Sequence, residues 1–292
     1  MLPIVERAPP KVNLTLRVLG RRPNGYHELD SLVVFAHDVA DEITLTLGPS
    51  HSVKTTGPFG GSIAGENLIS VTLACIAQAA PFLTLGSVQL EKNLPIAAGI
   101  GGGSADAAAV IRAVQRANPQ ISGGNGIDWT PIAIGVGADV PVCLTSRAQR
   151  MTGIGERLTA IQTLPELAAV LVNPQVPVPA DKTAQVFRKL AAPQLASNLR
   201  PPSSDSYASR AVLLDHMRTI GNDLLVPARM VVPIIDDVIT ALAACPSCEL
   251  VQLSGSGPTC FGIFPNMPAA RAAASALSQS HPSWWVRPSR LY

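Results

Sequence analysis

The segment Pro95-Ile96-Ala97-Ala98-Gly99-Ile100-Gly101-Gly102-Gly103-Ser104-Ala105 constrains this chain more than any other. Four glycines fall in five positions, and an alanine-rich stretch of helical character follows at once. Glycine lets a backbone approach a ligand closely and turn its amides inward, and a helix N-terminus adds about half a positive charge. The segment therefore predicts an anion site at a loop between a strand and a helix over 105–116. Ser104 is expected to cap that helix or to offer its hydroxyl to a phosphate or its Mg²⁺, and Asp106, in the first turn, to favour the dipole. The Lys-Ser/Thr ending of the Walker loop and the third glycine of the dinucleotide fingerprint are both missing, so this is a third kind of phosphate loop. A plain flexible turn is the alternative, and other motifs have to decide.

Composition narrows the setting. The 292 residues suffice for two domains of about 150 each, and 47% hydrophobic against 14% charged residues predicts a large packed core. A net charge of +2, with no basic run longer than Arg21-Arg22, argues against nucleic acid and anionic membranes. Five cysteines, Cys75, Cys143, Cys245, Cys248 and Cys260, fit free thiols in a reducing compartment. Cys245-Pro246-Ser247-Cys248 has the spacing of half a zinc site, but no second Cys/His pair matches it, so no metal centre is expected. Glu6, Arg7 and Pro9-Pro10 precede any long apolar run, and no run reaches the roughly 18 apolar residues of a spanning helix. A cytoplasmic protein is expected.

Short β-branched runs at 12–18, 29–35 and 42–47, parted by Pro23-Asn24-Gly25 and Gly48-Pro49, read as a three-strand meander. A helix over 68–79, capped near Glu66-Asn67, and a strand over 88–91 precede the glycine loop. Beyond Gly153, strands over 168–172, 250–253 and 260–264 and helices over 183–190 and 232–243 suggest a second α+β unit. The proline- and serine-rich stretch 192–209 reads as a surface loop.

Further motifs favour the phosphate reading. Lys11 and Asn13 alternate with apolar residues on a predicted strand and so share a face, and a buried lysine needs an anion to meet it. Gly135-Val136-Gly137-Ala138-Asp139-Val140-Pro141 holds one carboxylate in a tight apolar turn, where it needs a partner such as Lys11 unless it is a surface turn. Ser254-Gly255-Ser256-Gly257-Pro258-Thr259-Cys260 is a second glycine-rich turn, either closing over phosphates or substrate or serving as a structural hairpin. Tyr26 and His27 follow a turn, an arrangement suited to stacking on and hydrogen-bonding a base, or else a core tyrosine beside a surface histidine.

Together these segments resemble the galactokinase, homoserine kinase, mevalonate kinase and phosphomevalonate kinase (GHMP) superfamily, whose three signatures match Lys11 to Asn13, Pro95 to Ala105 and Ser254 to Cys260 in order. The resemblance implies a two-domain α/β (α+β) fold. Its N-terminal half, 1–158, would resemble the second domain of ribosomal protein S5 and bind ATP. Its C-terminal half, 159–292, would be ferredoxin-like and face the substrate, with the last strand allowed to return to the first domain.

The resemblance also implies a small-molecule kinase using ATP and Mg²⁺, from the branch whose alcohol substrate carries a cytidine diphosphate group. By motif position, Asp139 would be the base with Lys11 as its partner. Pro95 to Ala105 would hold the phosphates, and Lys92 and Asn67 would line the adenosine side. Tyr26 and His27 would hold the cytidine, with Asn13, Thr183, Phe187, Gly255 and Gly257 also on the substrate side. A monomer or weak homodimer is expected.

Two departures stand out: Val33 occupies a position where the family usually has an aromatic residue or methionine, and the segment 173–183 is longer than usual. A sister kinase for homoserine or mevalonate is the nearest rival, but those substrates carry no base for Tyr26 and His27 to hold. A non-catalytic nucleotide binder is the other, and it would not need both Lys11 and Asp139.

Overall fold

The computed structural model describes residues 2–49, 51–62, 67–119, 127–195 and 206–292. The first strands are β1 (Ile4–Ala8), β2 (Lys11–Arg21), β3 (His27–Phe35), β4 (Asp41–Leu47) and β5 (Val53–Thr56), followed by α1 (Leu68–Ala79) and β6 (Gly86–Glu91). Next come α2 (Gly102–Ala117), α3 (Trp129–Val136), α4 (Val140–Cys143), β7 (Gln149–Gly153), β8 (Arg157–Ala160) and β9 (Leu167–Asn173). Helices α5 (Lys182–Leu190), α6 (Arg210–Ile220), α7 (Leu225–Val231) and α8 (Ile235–Ala243) lead to β10 (Leu250–Leu253), β11 (Cys260–Phe264), α9 (Met267–Ser280) and β12 (Trp285–Leu291). The chain forms two compact units, 1–10 with 39–96 and 101–146, and 11–38 with 97–100 and 147–292.

In the first unit a sheet of order β1-β4-β6-β5 packs against α2. Alanines 105 and 107–109, all buried, keep α2 slim enough for close packing on β1 and β4. Arg112 of α2 reaches Glu6 Oε2 at 3.2 Å, Arg7 O at 2.6 Å and Cys143 O at 2.9 Å, tying α2 to β1 and to the end of α4. Helix α1 begins where predicted, with Asn67 Oδ1 accepting from the Ile69 amide at 3.0 Å. Glu66 lies outside the described residues.

The second unit contains the sheet β2-β3-β7-β8 and the sheet β10-β11-β9-β12. The latter is antiparallel throughout, and with helices between β9 and β10 and α9 between β11 and β12 it is the ferredoxin-like arrangement expected of the C-terminal half. Its core joins Val170 and Val172 of β9 to Val238 and Leu242 of α8 and to Ala270, Ala274 and Leu277 of α9.

Two expectations need correction. The three early runs do not form a meander: β2 and β3 pair, but β3 is flanked on its other edge by β7, so β4 pairs with β1 and β6 instead. The helix expected over 232–243 begins only at Ile235, after α7 has ended. Pro233 drives its predecessor Val232 out of helical geometry, to φ −134° and ψ 80°. Of the loop expected over 192–209, residues 196–205 lie outside the described residues.

Candidate active site

Strand β2 alternates as expected: the Lys11 ammonium, 5% exposed, donates to Asn13 Oδ1 at 2.8 Å. Asn13 in turn donates from Nδ2 to Ser31 Oγ at 2.8 Å, and its amide donates to Ser254 Oγ at 3.2 Å. The Lys11-Asn13 pair, β3 and the second glycine turn are thereby one hydrogen-bonded block. A bulge after Asn13 shifts the register with β3 without disturbing the face that Lys11 and Asn13 share.

The same block grips the glycine loop. All four carbonyls of 97–100 accept from protein donors: Ala97 from Lys182 Nζ at 3.2 Å, Ala98 from the Thr259 amide at 3.1 Å, Gly99 from Ser254 Oγ at 3.1 Å and Ile100 from the Lys11 amide at 3.0 Å. In a trans peptide the following amide points the opposite way. The amides of Ala98, Gly99, Ile100 and Gly101 are thus turned away from these donors, and none has an acceptor among the described residues. Successive outward amides make an anion-binding concavity.

Gly99 has a different purpose from the one expected. At its φ of +77° a Cβ would meet Gly257 O at 2.6 Å and Ser254 O at 2.7 Å, so its missing side chain admits the second glycine turn rather than a ligand. That turn is also held by Asn222 Nδ2, which donates to Gly255 O at 2.9 Å, and by the 3.0 Å contact of the Thr183 and Ser256 hydroxyls.

In the first unit, Gly101 takes φ 62° and starts α2 ahead of the predicted helix. Ser104 consequently lies inside the helix and is not its cap, and no side chain caps α2, leaving its first amides open to an anion. Asp106 lies beyond the first residues of α2 and is buried with Lys92 and Asp41: Lys92 Nζ is 2.6 Å from Asp106 Oδ2 and 2.5 Å from Asp41 Oδ2. Burial alone would lower the Lys92 ammonium, but Asp106 and Asp41 outweigh it and hold it above the usual lysine value. Burial pushes the Asp106 carboxyl up to about 8 against the pull of Lys92, and Asp41 adds to the rise.

Lys92 Nζ lies 3.3 Å from where a Cβ on Gly102 would stand, and Leu68, next to Asn67, 3.1 Å from that of Gly103. Lys92 and the Leu68 side chain are thereby gathered at the start of α2, while the Asn67 side chain caps α1. Asp139, half-buried, is the N-cap of α4 and makes no side-chain cap bond.

The His27 ring stacks on Phe187 of α5, with centroids 4.7 Å apart and planes at 29°. Burial, then the charge of Arg21, lowers the His27 pKa, which keeps the ring neutral with one donor and one acceptor nitrogen. Tyr26 is exposed, and Val33 is fully buried in the core. Cys245 and Cys248 have thiols raised by burial, Cys248 to about 11, so neither is a ready thiolate.

Sequence reasoning missed Lys182. It directly precedes Thr183, and its Nζ also donates to Gly257 O. A lysine just ahead of a site threonine was the available signal. Ser31 and Ser254, which complete the Asn13 network, were likewise not singled out as site residues.

Two family descriptions match the chain, "GHMP kinases N terminal domain" over residues 67–147 and "GHMP kinases C terminal" over 207–283. A 4-diphosphocytidyl-2-C-methyl-D-erythritol kinase of a Bradyrhizobium species is 42% identical, with 99% of this chain and 97% of that protein covered. The protein of the same name from Dinoroseobacter shibae is 44% identical, covering 99% and 95%. Among solved structures, a 4-(cytidine 5'-diphospho)-2C-methyl-D-erythritol kinase superposes with a TM-score of 0.75 at 32% identity, over 99% of both chains. The homoserine kinase of Cytophaga hutchinsonii shares the fold at 19% identity and a TM-score of 0.68, over 98% and 94%.

Proposed function

Because this chain belongs to the GHMP kinases, and among them to the 4-diphosphocytidyl-2-C-methyl-D-erythritol kinase family, we infer that it transfers the γ-phosphoryl group of ATP to the 2-hydroxyl of 4-diphosphocytidyl-2-C-methyl-D-erythritol. The reaction belongs to the non-mevalonate route to isoprenoid precursors. The observation that carries the phosphate half of this reading is the loop 97–100, whose four carbonyls are tied to protein while its amides are left to an anion. The stack of neutral His27 on Phe187 supports the cytidine half.

Pro95 to Ala105 would hold the nucleotide phosphates, with Asn67 and Lys92 toward the adenosine. ATP supplies the phosphoryl group, and Mg²⁺ carried on its phosphates offsets their charge. Among the described residues no cluster of three or more His, Cys, Asp or Glu is placed to hold a metal.

Asp139 takes the proton of the acceptor hydroxyl, and Lys11 is assigned as its cationic partner, on motif position. Asn13, Thr183, Gly255 and Gly257 would orient the reacting end, while Tyr26, His27 and Phe187 hold the base. Phosphoryl transfer needs little covalent work from protein, so positioning and charge carry the rate. We retain 1–158 and 159–292 as the ATP-binding and substrate-side domains, and we assign a monomer or weak homodimer in the cytoplasm, where five free thiols would persist.

Inhibition by cytidine diphosphate tests the pocket. It is expected to compete with the acceptor and not with ATP; competition with ATP alone would break the cytidine assignment.

A further inference from the structure

Lys182 is 4% exposed, at the start of α5. Its ammonium has three N–H donors, and two carbonyls, Ala97 O and Gly257 O, take up two of them. Among the described residues no carboxylate lies within 4 Å of it. Its chain neighbour Asp181 is exposed and turned to Gln185 and Arg188. The charged group that does face it is another cation, Lys11.

An ammonium taken out of water needs a counter-charge, and carbonyl dipoles supply only part of one. Here the like charge of Lys11 raises that need. The two carbonyls belong to the two glycine segments, so the remaining N–H and the uncompensated charge sit where those segments meet.

We propose that Lys182 is a phosphate-binding residue of this site, joining the two glycine segments and meeting a phosphate group of a bound ligand. The inference rests on the kinase reading above. The phosphate can come from ATP or from the diphosphate of the acceptor. Burial, then Lys11, lowers the Lys182 ammonium to about 8, so an arriving anion would draw a proton onto it at that pH.

Calorimetric titration of MgATP and of cytidine diphosphate at pH 8, in two buffers of different ionisation enthalpy, counts the protons taken up. The wild type is expected to bind a fraction of a proton more than Lys182→Arg with the ligand whose phosphate meets Lys182, because a guanidinium is already charged. Lys182→Arg should keep affinity within a few-fold, while Lys182→Gln should weaken the same ligand by about tenfold or more. An effect on MgATP alone assigns the nucleotide, and one on cytidine diphosphate alone assigns the acceptor. Equal proton uptake by wild type and Lys182→Arg with both ligands overturns the proposal, as does unchanged affinity in Lys182→Gln. A purely structural clamp would lower thermal stability without moving the proton count. Wild-type ADP release with the acceptor, measured separately, tests the kinase reading and leaves the binding result standing on its own.

Discussion

Single residues divide the site into groups that do chemistry and groups that shape it. With Asp139 as base, Asp139→Asn is expected to lower kcat by about 100-fold or more with little change in ATP affinity, measured by steady-state ADP release. Near-normal turnover would remove Asp139 from the role. Gly99 shapes: an alanine there keeps φ +77° and strikes two backbone oxygens, so Gly99→Ala should cost about 1–3 kcal/mol in denaturant unfolding and depress activity.

Asp106 gives a pH signature. Between its unfolded value near ~4 and its folded value of about 8, the folded chain keeps a proton that the unfolded chain has lost, so this group's contribution to stability falls as pH rises through that window. Asp106→Asn, neutral at every pH, should therefore gain in melting temperature relative to wild type at pH 8 compared with pH 5. An equal difference at both pH values would contradict the raised carboxyl. That Lys11 and Asn13 share a face was legible because strand alternation is local, whereas their hydrogen bond and the burial of Asp106 with Lys92 and Asp41 were not, the latter because separate segments converge there.

Among elements, those with an unambiguous apolar period and clear punctuation were legible: α1, β10 and β11 begin and end where the sequence places them. Helix α9 went unread because its alanines and serines make a weak apolar stripe, although Asn266 and Pro268 mark its start. Asn266 Oδ1 accepts from the Ala269 amide at 2.9 Å, and Asn266→Ala is expected to cost about 1 kcal/mol in chemical denaturation. No loss would mean that water replaces the cap. Strands β5, β7 and β8 are rich in lysine, arginine, threonine and glutamine, so no apolar run marks them, and the break between α7 and α8 could have been read from Pro233.

At the scale of the molecule, the chain passes between its two units at 10–11, 38–39, 96–97, 100–101 and 146–147. A linear reading does not reveal such interleaving, because each unit is assembled from separated segments. The motifs survive that shuffling because each is short and local, so the first glycine loop, the Lys11-Asn13 strand and the second glycine turn could be read in advance as segments. Their mutual hydrogen bonds could not. Among the described residues no helix is long and apolar enough to cross a membrane. The central claim, phosphoryl transfer to a cytidine-bearing alcohol, is tested most directly by ³¹P NMR of the purified protein with MgATP and 4-diphosphocytidyl-2-C-methyl-D-erythritol, beside homoserine and mevalonate. A new phosphomonoester resonance with the cytidine substrate alone is the predicted result; a phosphorylated homoserine or mevalonate, or no transfer to any acceptor, would contradict it.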